Sequence, residues 1–387
     1  MTDGTSPTTE KGDLSITLGV EEEFFLANPE PGIFETCEEN SGPHKVVREF
    51  LRSQIETNTR VCGSVSELRE AMRETRRLVI EAAQQHGAAV MAASTHPFAV
   101  WRDQSPTPRD RYAHFAATYQ EAVRRLVVGG MHIHAGFGDA DTRVRVMTAL
   151  RRFLPLLHAL STSSPFNSGH ETGFKSYRLT IMGNLPRTGM PGPLGSWAGY
   201  ERLVDEYRRM NFIGDGSELW WDIRPSIAYP TVEMRICDVC PRLEEAVSIA
   251  ALYVCLIRWL MRRDLKGELP AEPLTELIAE DRWMAQRYGV FAFLGNRTSG
   301  GGRIDIYDQT AELIDELAPD ARALGCETEL RNALAIIRDG TGADRQLDLY
   351  RLRGLEGDTR DEALRRVVDL LLAETGEGVG RLSEDLT

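Results

Sequence analysis

A chain of 387 residues with 42% hydrophobic content can bury a substantial core, and its 58 acidic against 45 basic side chains leave a formal charge of -13. A general affinity for nucleic acid or an anionic membrane needs basic surface, so neither is expected as a partner. The longest uncharged apolar run, Ala246 to Ile257, is too short to span a bilayer and reads as a buried helix.

Residues 1–13, opening MTDGTSPTTEKG, have neither the basic start nor the apolar middle of a signal peptide and read as a flexible tail. The six cysteines are then most simply free thiols, and the expected location is cytoplasmic. The first element is TLGVEEEFFL, Thr17 to Leu26, in which three glutamates interrupt an apolar run. Apolar and aromatic residues flank them and Pro29 follows, which predicts a strand. Alternation puts Glu21 and Glu23 on one face and Glu22 on the other. Two carboxylates on one face suggest cations, because an unpaired buried carboxylate is costly; the pattern alone equally suits a simple edge strand with a polar face.

QIETNT around Glu56 predicts an antiparallel strand. Residues 64–87 predict a helix with a Ser64/Glu67 capping box and a stop at Gly87. AAVMAAS is a buried strand, 109–127 a helix, GGMHIHAGFG a strand, and Asp141 to Leu160 a helix. The region from Ser161 to Gly199 is irregular, long enough for a connection to carry function. LWWDIRPSIAYPTVEMRICDV holds two strands around a turn, and the chain from Leu243 is almost wholly helical. No linker divides it. The expectation is α+β, with one domain over 14–375, a helical C-terminal part and a second flexible tail at 376–387.

Glu21, Glu23, Glu56 and Glu233 lie in strand-like settings, with His132 and His134 on one face of GMHIH. Carboxylates with one or two imidazoles favour Mg²⁺ or Mn²⁺ over zinc. Singly, each has a plain structural reading: Glu56 as a surface charge, Glu233 as a partner for Arg235, His132 as a core histidine. Glu49 reads as helical surface. Arg178, Arg224, Arg235 and Arg287 sit among apolar and aromatic neighbours, where the guanidinium fork suits carboxylates and phosphates. No phosphate loop is present, and Gly300 to Gly302 reads as a mobile turn, so a bound nucleotide is expected to be held by metals and arginines. Cys237 and Cys240 have no second ligand pair nearby and are expected to be buried thiols.

GVEEEFFL, QIETNT, STHPF, GMHIHAGF, SSPFNSGHETGFKSYR, WWDIRPS with TVEMRICD, and DRWMAQRYG together resemble the glutamate-cysteine ligase type 2, or carboxylate-amine ligase, family of the glutamine synthetase-like superfamily. The resemblance implies a curved antiparallel sheet forming a funnel backed by helices. It also implies ATP- and Mg-dependent amide formation through an acyl phosphate. On it, Glu21 and Glu23 bind different ions, Glu56 joins one site, and Glu233 and His132 join the other. His134, Arg235 and Arg224 serve the phosphoryl group, Arg178 and Lys175 the substrate, and Arg287 the nucleotide phosphates. Lys175 and Asp281 depart from the family's usual residues. The implied substrates are a small-molecule carboxylate and an amine, and the implied assembly is a homo-oligomer, dimeric in form. Two alternatives are a non-catalytic ATP/amino-acid binding protein on this fold and a metal-dependent hydrolase. The hydrolase would need further histidines downstream, and all eight lie at or before His170.

Overall fold

The computed structural model describes residues 13–28, 30, 32–108, 110–295 and 301–380. The tail segments 1–12 and 381–387, Pro29 and Gly300 lie outside the described residues. One antiparallel sheet of seven strands organises the chain: β1 (Thr17–Ala27), β2 (Lys45–Arg48), β3 (Gln54–Asn58), β4 (Ala89–Met91), β5 (Met131–Gly136), β6 (Ile223–Pro225) and β7 (Thr231–Met234). The order is β6-β7-β5-β1-β3-β2. β4 pairs with β1 at Phe25 to Ala27, beyond the stretch that pairs with β5.

Alternation along β1 sends Val20, Glu22 and Phe24 to a back face that also carries Ile55, Ile133 and Val232, all buried. Helices Val65–Gln85 and Ala140–Leu150 pack against these strands, and Leu243–Asp264 packs against both helices. That long helix is buried on nearly every side over 246–257, as its uncharged run requires. Glu22, 1% exposed, is answered on this face by Arg76, also fully buried. Arg76 donates to both Glu22 oxygens at 3.1 and 2.5 Å, and to the carbonyls of Pro241 and Cys240 at 2.7 and 2.8 Å.

Several boundaries move for local reasons. Ser64 caps the 65–85 helix by accepting from the Glu67 amide at 3.1 Å, but the Glu67 carboxylate accepts from Gly63 at 2.8 Å, so the predicted box is not closed. The 109–127 helix breaks into Asp110–Tyr119 and Glu121–Arg124 at Gln120, whose φ of 49° is left-handed. The 141–160 helix is interrupted by a 3-10 turn at Arg151–Phe153, ahead of Pro155, which has no amide to donate. A hairpin of Phe293–Gly295 with Arg303–Asp305 interrupts the helical C-terminal part. Within the segment expected as a tail from 376, Val379 is 2% exposed, and its carbonyl accepts from Arg77 at 3.1 and 2.9 Å. No helix among the described residues is long and apolar enough to cross a membrane.

The irregular 161–199 region is pinned to the sheet by Asp238, four residues past β7. The Ser163 amide and Ser164 hydroxyl donate to its Oδ2 at 2.9 and 2.7 Å, and the Ser176 hydroxyl donates to Oδ1 at 2.9 Å. These bonds accompany the approach of Arg178, first residue of the short helix Arg178–Met182, to Gly130 just before β5. Gly130 makes that approach feasible, since a Cβ there would lie 2.4 Å from Arg178 Nη2.

Candidate active site

The front face of the sheet assembles the chemistry by register. Glu21 lies opposite His132, Glu23 opposite Glu56, and Glu233 opposite His134, and directly opposed residues of antiparallel strands share a face. Arg224 on β6 lies opposite Glu233, and Arg235 follows it by two.

Two trios offer ligand atoms lying within 4.8 Å of one another: Glu21, His134 and Glu233; and Glu23, Glu49 and Glu56. The histidine in the first trio is His134, not His132 as expected. His132 lies against Glu21 instead, its Nδ1 3.1 Å from Oε2. His134 Nδ1 is 2.9 Å from the Thr231 hydroxyl, while its buried Nε2 stands 3.2 Å from Glu21 Oε1 without making a hydrogen bond. Such an imidazole nitrogen, orphaned between carboxylates, fits a divalent cation. Glu49 in the second trio corrects the helical-surface reading. It follows β2 directly, and because Val47 faces Glu56 across the ladder, Glu49 two residues on returns to the same face.

The two trios differ in electrostatics. Burial works against charge on Glu21, but His132 and His134 outweigh it and hold its carboxyl well below the usual range. Burial acts likewise on Glu233, and Arg235, Arg224 and the two histidines bring it down to about 2. Burial, with Arg235 beside it, lowers His132 to about 4 and keeps it neutral at neutral pH. In the second trio, burial and the Glu49 charge push Glu23 up to about 8 against the pull of Arg178 and Arg235. Burial followed by Glu49, Glu21 and Glu23 raises Glu56 well above its ordinary value. Carboxylates crowded until they hold protons fit a site that a divalent ion would neutralise.

Arg224 grips Glu233 through Nε at 2.9 Å and spends Nη1 on the Ser217 and Leu219 carbonyls at 2.6 and 3.1 Å. Arg235 pairs with the other Glu233 oxygen and lies 3.5 Å from His132 Nδ1. Arg178 is buried, donates to the Ile236 and Arg235 carbonyls at 3.2 and 3.1 Å, and leaves Nε without a partner. Two expected members have other partners. Lys175 is ion-paired with Asp344, and the Arg287 guanidinium stacks on Phe174 at 5.8 Å and Tyr288 at 4.9 Å. Their chain positions beside aromatic residues could not distinguish stacking and distant pairing from ligand contact. Arg282, not singled out from sequence, forks onto Asp222 at 2.6 and 3.0 Å, next to the strand that carries Arg224. Cys237 and Cys240 are buried free thiols, and burial pushes Cys237 up to about 12.

A sheet face with two carboxylate trios and buried arginines, on an α+β fold, fits a carboxylate-amine ligase that forms C–N bonds. The family model described as Glutamate-cysteine ligase family 2 matches residues 17–369, and the chain belongs to that family. A relative in Rhodospirillum rubrum, provisionally named glutamate--cysteine ligase 2, is 43% identical over 95% of this chain and 97% of its own length. One of the same name in Jannaschia is 42% identical over 94% and 97%. Among solved structures, the bifunctional glutathione synthetase of Pasteurella multocida superposes with a TM-score of 0.65 at 14% identity, over 94% of this chain and 53% of that longer one. The glutamate--cysteine ligase of Francisella tularensis, solved in complex with AMP, gives 0.63 at 14% identity over 96% and 94%. At that identity the likeness is one of fold, and the fold is the expected glutamine synthetase-like one. The ligase family leaves the hydrolase alternative without support.

Proposed function

We propose that the protein is an ATP- and Mg²⁺- or Mn²⁺-dependent ligase that joins a small carboxylic acid, glutamate by family, to an amine through an acyl phosphate. The observation that carries this reading is the pair of carboxylate trios on one sheet face, flanked by Arg224, Arg235 and Arg178. In the first step a substrate carboxylate oxygen bonds to the γ-phosphorus as the bond from phosphorus to the ADP oxygen breaks. In the second, the amine nitrogen attacks the acyl carbon, the carbon–oxygen bond to phosphate breaks, and the nitrogen loses a proton to solvent or a base.

Glu21, His134 and Glu233 would hold one ion, with His132 orienting Glu21, and Glu23, Glu49 and Glu56 would hold another. Bound there, such ions supply charge neutralisation for the triphosphate. Arg235 and Arg224, fixed by Glu233, present their remaining N–H groups to the transferring phosphoryl group, and the unpartnered Nε of the buried Arg178 suits the acid's carboxylate. The AMP bound in the Francisella ligase supports an adenine nucleotide here as well. Six free, buried cysteines support a reducing, cytoplasmic setting. The reading includes a single domain over 14–375 and a homo-oligomer.

The test is ADP release with ATP and Mg²⁺ across a panel of acids, with and without amines that include cysteine. Release that requires an acid and rises with an amine is expected, and is lost in Glu21→Gln. Release indifferent to both substrates, or a fully active Glu21→Gln, overturns the reading.

A further inference from the structure

The buried hydroxyl of Tyr200 has no hydrogen-bond partner among the described residues. Tyr200 is 3% exposed, alone buried outright in the helix Trp197–Arg209, and joins Ile213, Leu219 and Trp221 in a small apolar cluster apart from the main core. Burial pushes its phenol up to about 12 against the pull of Arg224, so the hydroxyl keeps its proton. Phenylalanine would fill the same place beside the Trp197 and Trp221 rings, 5.2 and 6.4 Å away, without burying an unpaired polar group. What the oxygen adds is reach.

That reach ends on a backbone. A Cβ at Gly216 would lie 2.6 Å from the Tyr200 hydroxyl oxygen, so the phenol bears on the peptide chain there with no side chain between. Gly216 opens the 3-10 turn Gly216–Glu218, and the carbonyls that hold Arg224 Nη1, at 2.6 and 3.1 Å, are those of Ser217 and Leu219. The other end of the contact is fixed as well. The Trp197 amide donates to Asp141 at 2.7 Å and the Thr148 hydroxyl to the Leu194 carbonyl at 2.7 Å, which ties the chain before Tyr200 to the helix Ala140–Leu150 packed on β6 and β7. Direct contacts therefore lead from that helix through Tyr200 and the turn to Arg224.

We propose that Tyr200 is a positioning residue for phosphoryl transfer: its hydroxyl braces the Gly216–Glu218 turn, so that the Ser217 and Leu219 carbonyls hold the Arg224 guanidinium in its working orientation. The inference rests on the ligase reading above and adds to it a residue that acts through Arg224. The hydroxyl is kept at a cost in stability because the brace needs its length.

The experiment compares Tyr200→Phe, Gly216→Ala and the double variant in acid-dependent ADP release, urea unfolding and hydrogen exchange of the Glu218 and Leu219 amides, which donate within the turn at 3.3 and 3.2 Å. Tyr200→Phe is expected to resist urea as well as the wild type or better, since it sheds an unpaired buried group. Its two turn amides exchange about tenfold faster, and kcat falls about tenfold with KM for acid and amine within about twofold. Gly216→Ala drives a methyl against the hydroxyl and also lowers kcat. In the double variant the methyl takes the space that the hydroxyl leaves, and kcat recovers above either single variant. In an Arg224→Gln background, Tyr200→Phe costs nothing further. Wild-type kcat or unchanged amide exchange in Tyr200→Phe, a double variant no better than Gly216→Ala, or an undiminished loss in the Arg224→Gln background overturns the proposal. Absence of acid-dependent ADP release in the wild type is a different result, because it removes the ligase reading itself, and amide exchange then decides the brace alone.

Discussion

Glu22 and its neighbours Glu21 and Glu23 are the same residue type on one strand, yet the two faces of that strand handle them in opposite ways. On the back, one carboxylate meets one arginine, and Arg76 satisfies both Glu22 oxygens together with two backbone carbonyls. On the front, Glu21, Glu23, Glu49, Glu56 and Glu233 gather, and the second trio holds three carboxylates with Glu23 and Glu56 pushed up the pH scale. A balanced buried pair holds a fold together, whereas an excess of like charge is kept where something else supplies the countercharge.

Substitution should separate the faces sharply. Glu23→Gln is expected to cut kcat/KM for acid-dependent ADP release by about 10³ or more, roughly 4 kcal/mol of transition-state stabilisation, while urea unfolding of the metal-free protein stays level or gains. Activity within tenfold of wild type would remove Glu23 from the machinery. Arg76→Met makes the contrasting break, leaving Glu22 buried and unpaired at a cost of about 3–5 kcal/mol in urea unfolding. A loss below about 1 kcal/mol would mean that the back face does not depend on the pair.

The front face should also carry two opposed pH signatures. Glu23 rises from an ordinary 4.5 to about 8 in the folded chain, so its contribution to stability is complete below about pH 4.5 and lost as pH climbs through 8. Glu233 falls from 4.5 to about 2, so its contribution is present above about pH 4.5 and lost as pH drops through 2. Metal-free protein is therefore expected to melt at lower temperature at pH 8 than at pH 6, and Mn²⁺ should raise the melting temperature more at pH 8, where it competes less with a proton on Glu23. Glu23→Gln should flatten both trends. A metal shift equal at the two pH values would count against proton–metal competition in this trio.

Much of this face was legible in the sequence because strand alternation is a local rule. TLGVEEEFFL fixes which glutamates share a face, and GMHIH does the same for its histidines. Glu49 obeyed the same rule and was obscured because KVVRE is short and runs into Glu49-Phe50, which resembles a helix start. Which histidine would face Glu233 depended on a cross-strand register, and the partners of Arg76 and Lys175 on side chains 54 and 169 residues away in sequence. Periodicity within one segment does not encode such pairings. The breaks at Gln120 and before Pro155 are of another kind, since a left-handed residue and a missing amide interrupt otherwise continuous helical patterns.

Lys175 provides the smallest effect and a sharp contrast with Arg178, three residues along the same loop. Arg178 is buried with an orphaned Nε, whereas Lys175 is neutralised by Asp344, whose other oxygen already accepts from the Thr341 amide and hydroxyl at 2.9 and 2.8 Å. Removing the lysine leaves Asp344 with those two donors, so Lys175→Met should cost about 1–2 kcal/mol of stability and change kcat/KM by no more than about threefold. Arg178→Met, by contrast, should raise KM for the acid at least about tenfold with little change in amine KM. A Lys175→Met enzyme that lost affinity for the acid as Arg178→Met does would mean that the ion pair with Asp344 opens when substrate arrives, and would return Lys175 to the substrate-binding group expected from its position in the loop.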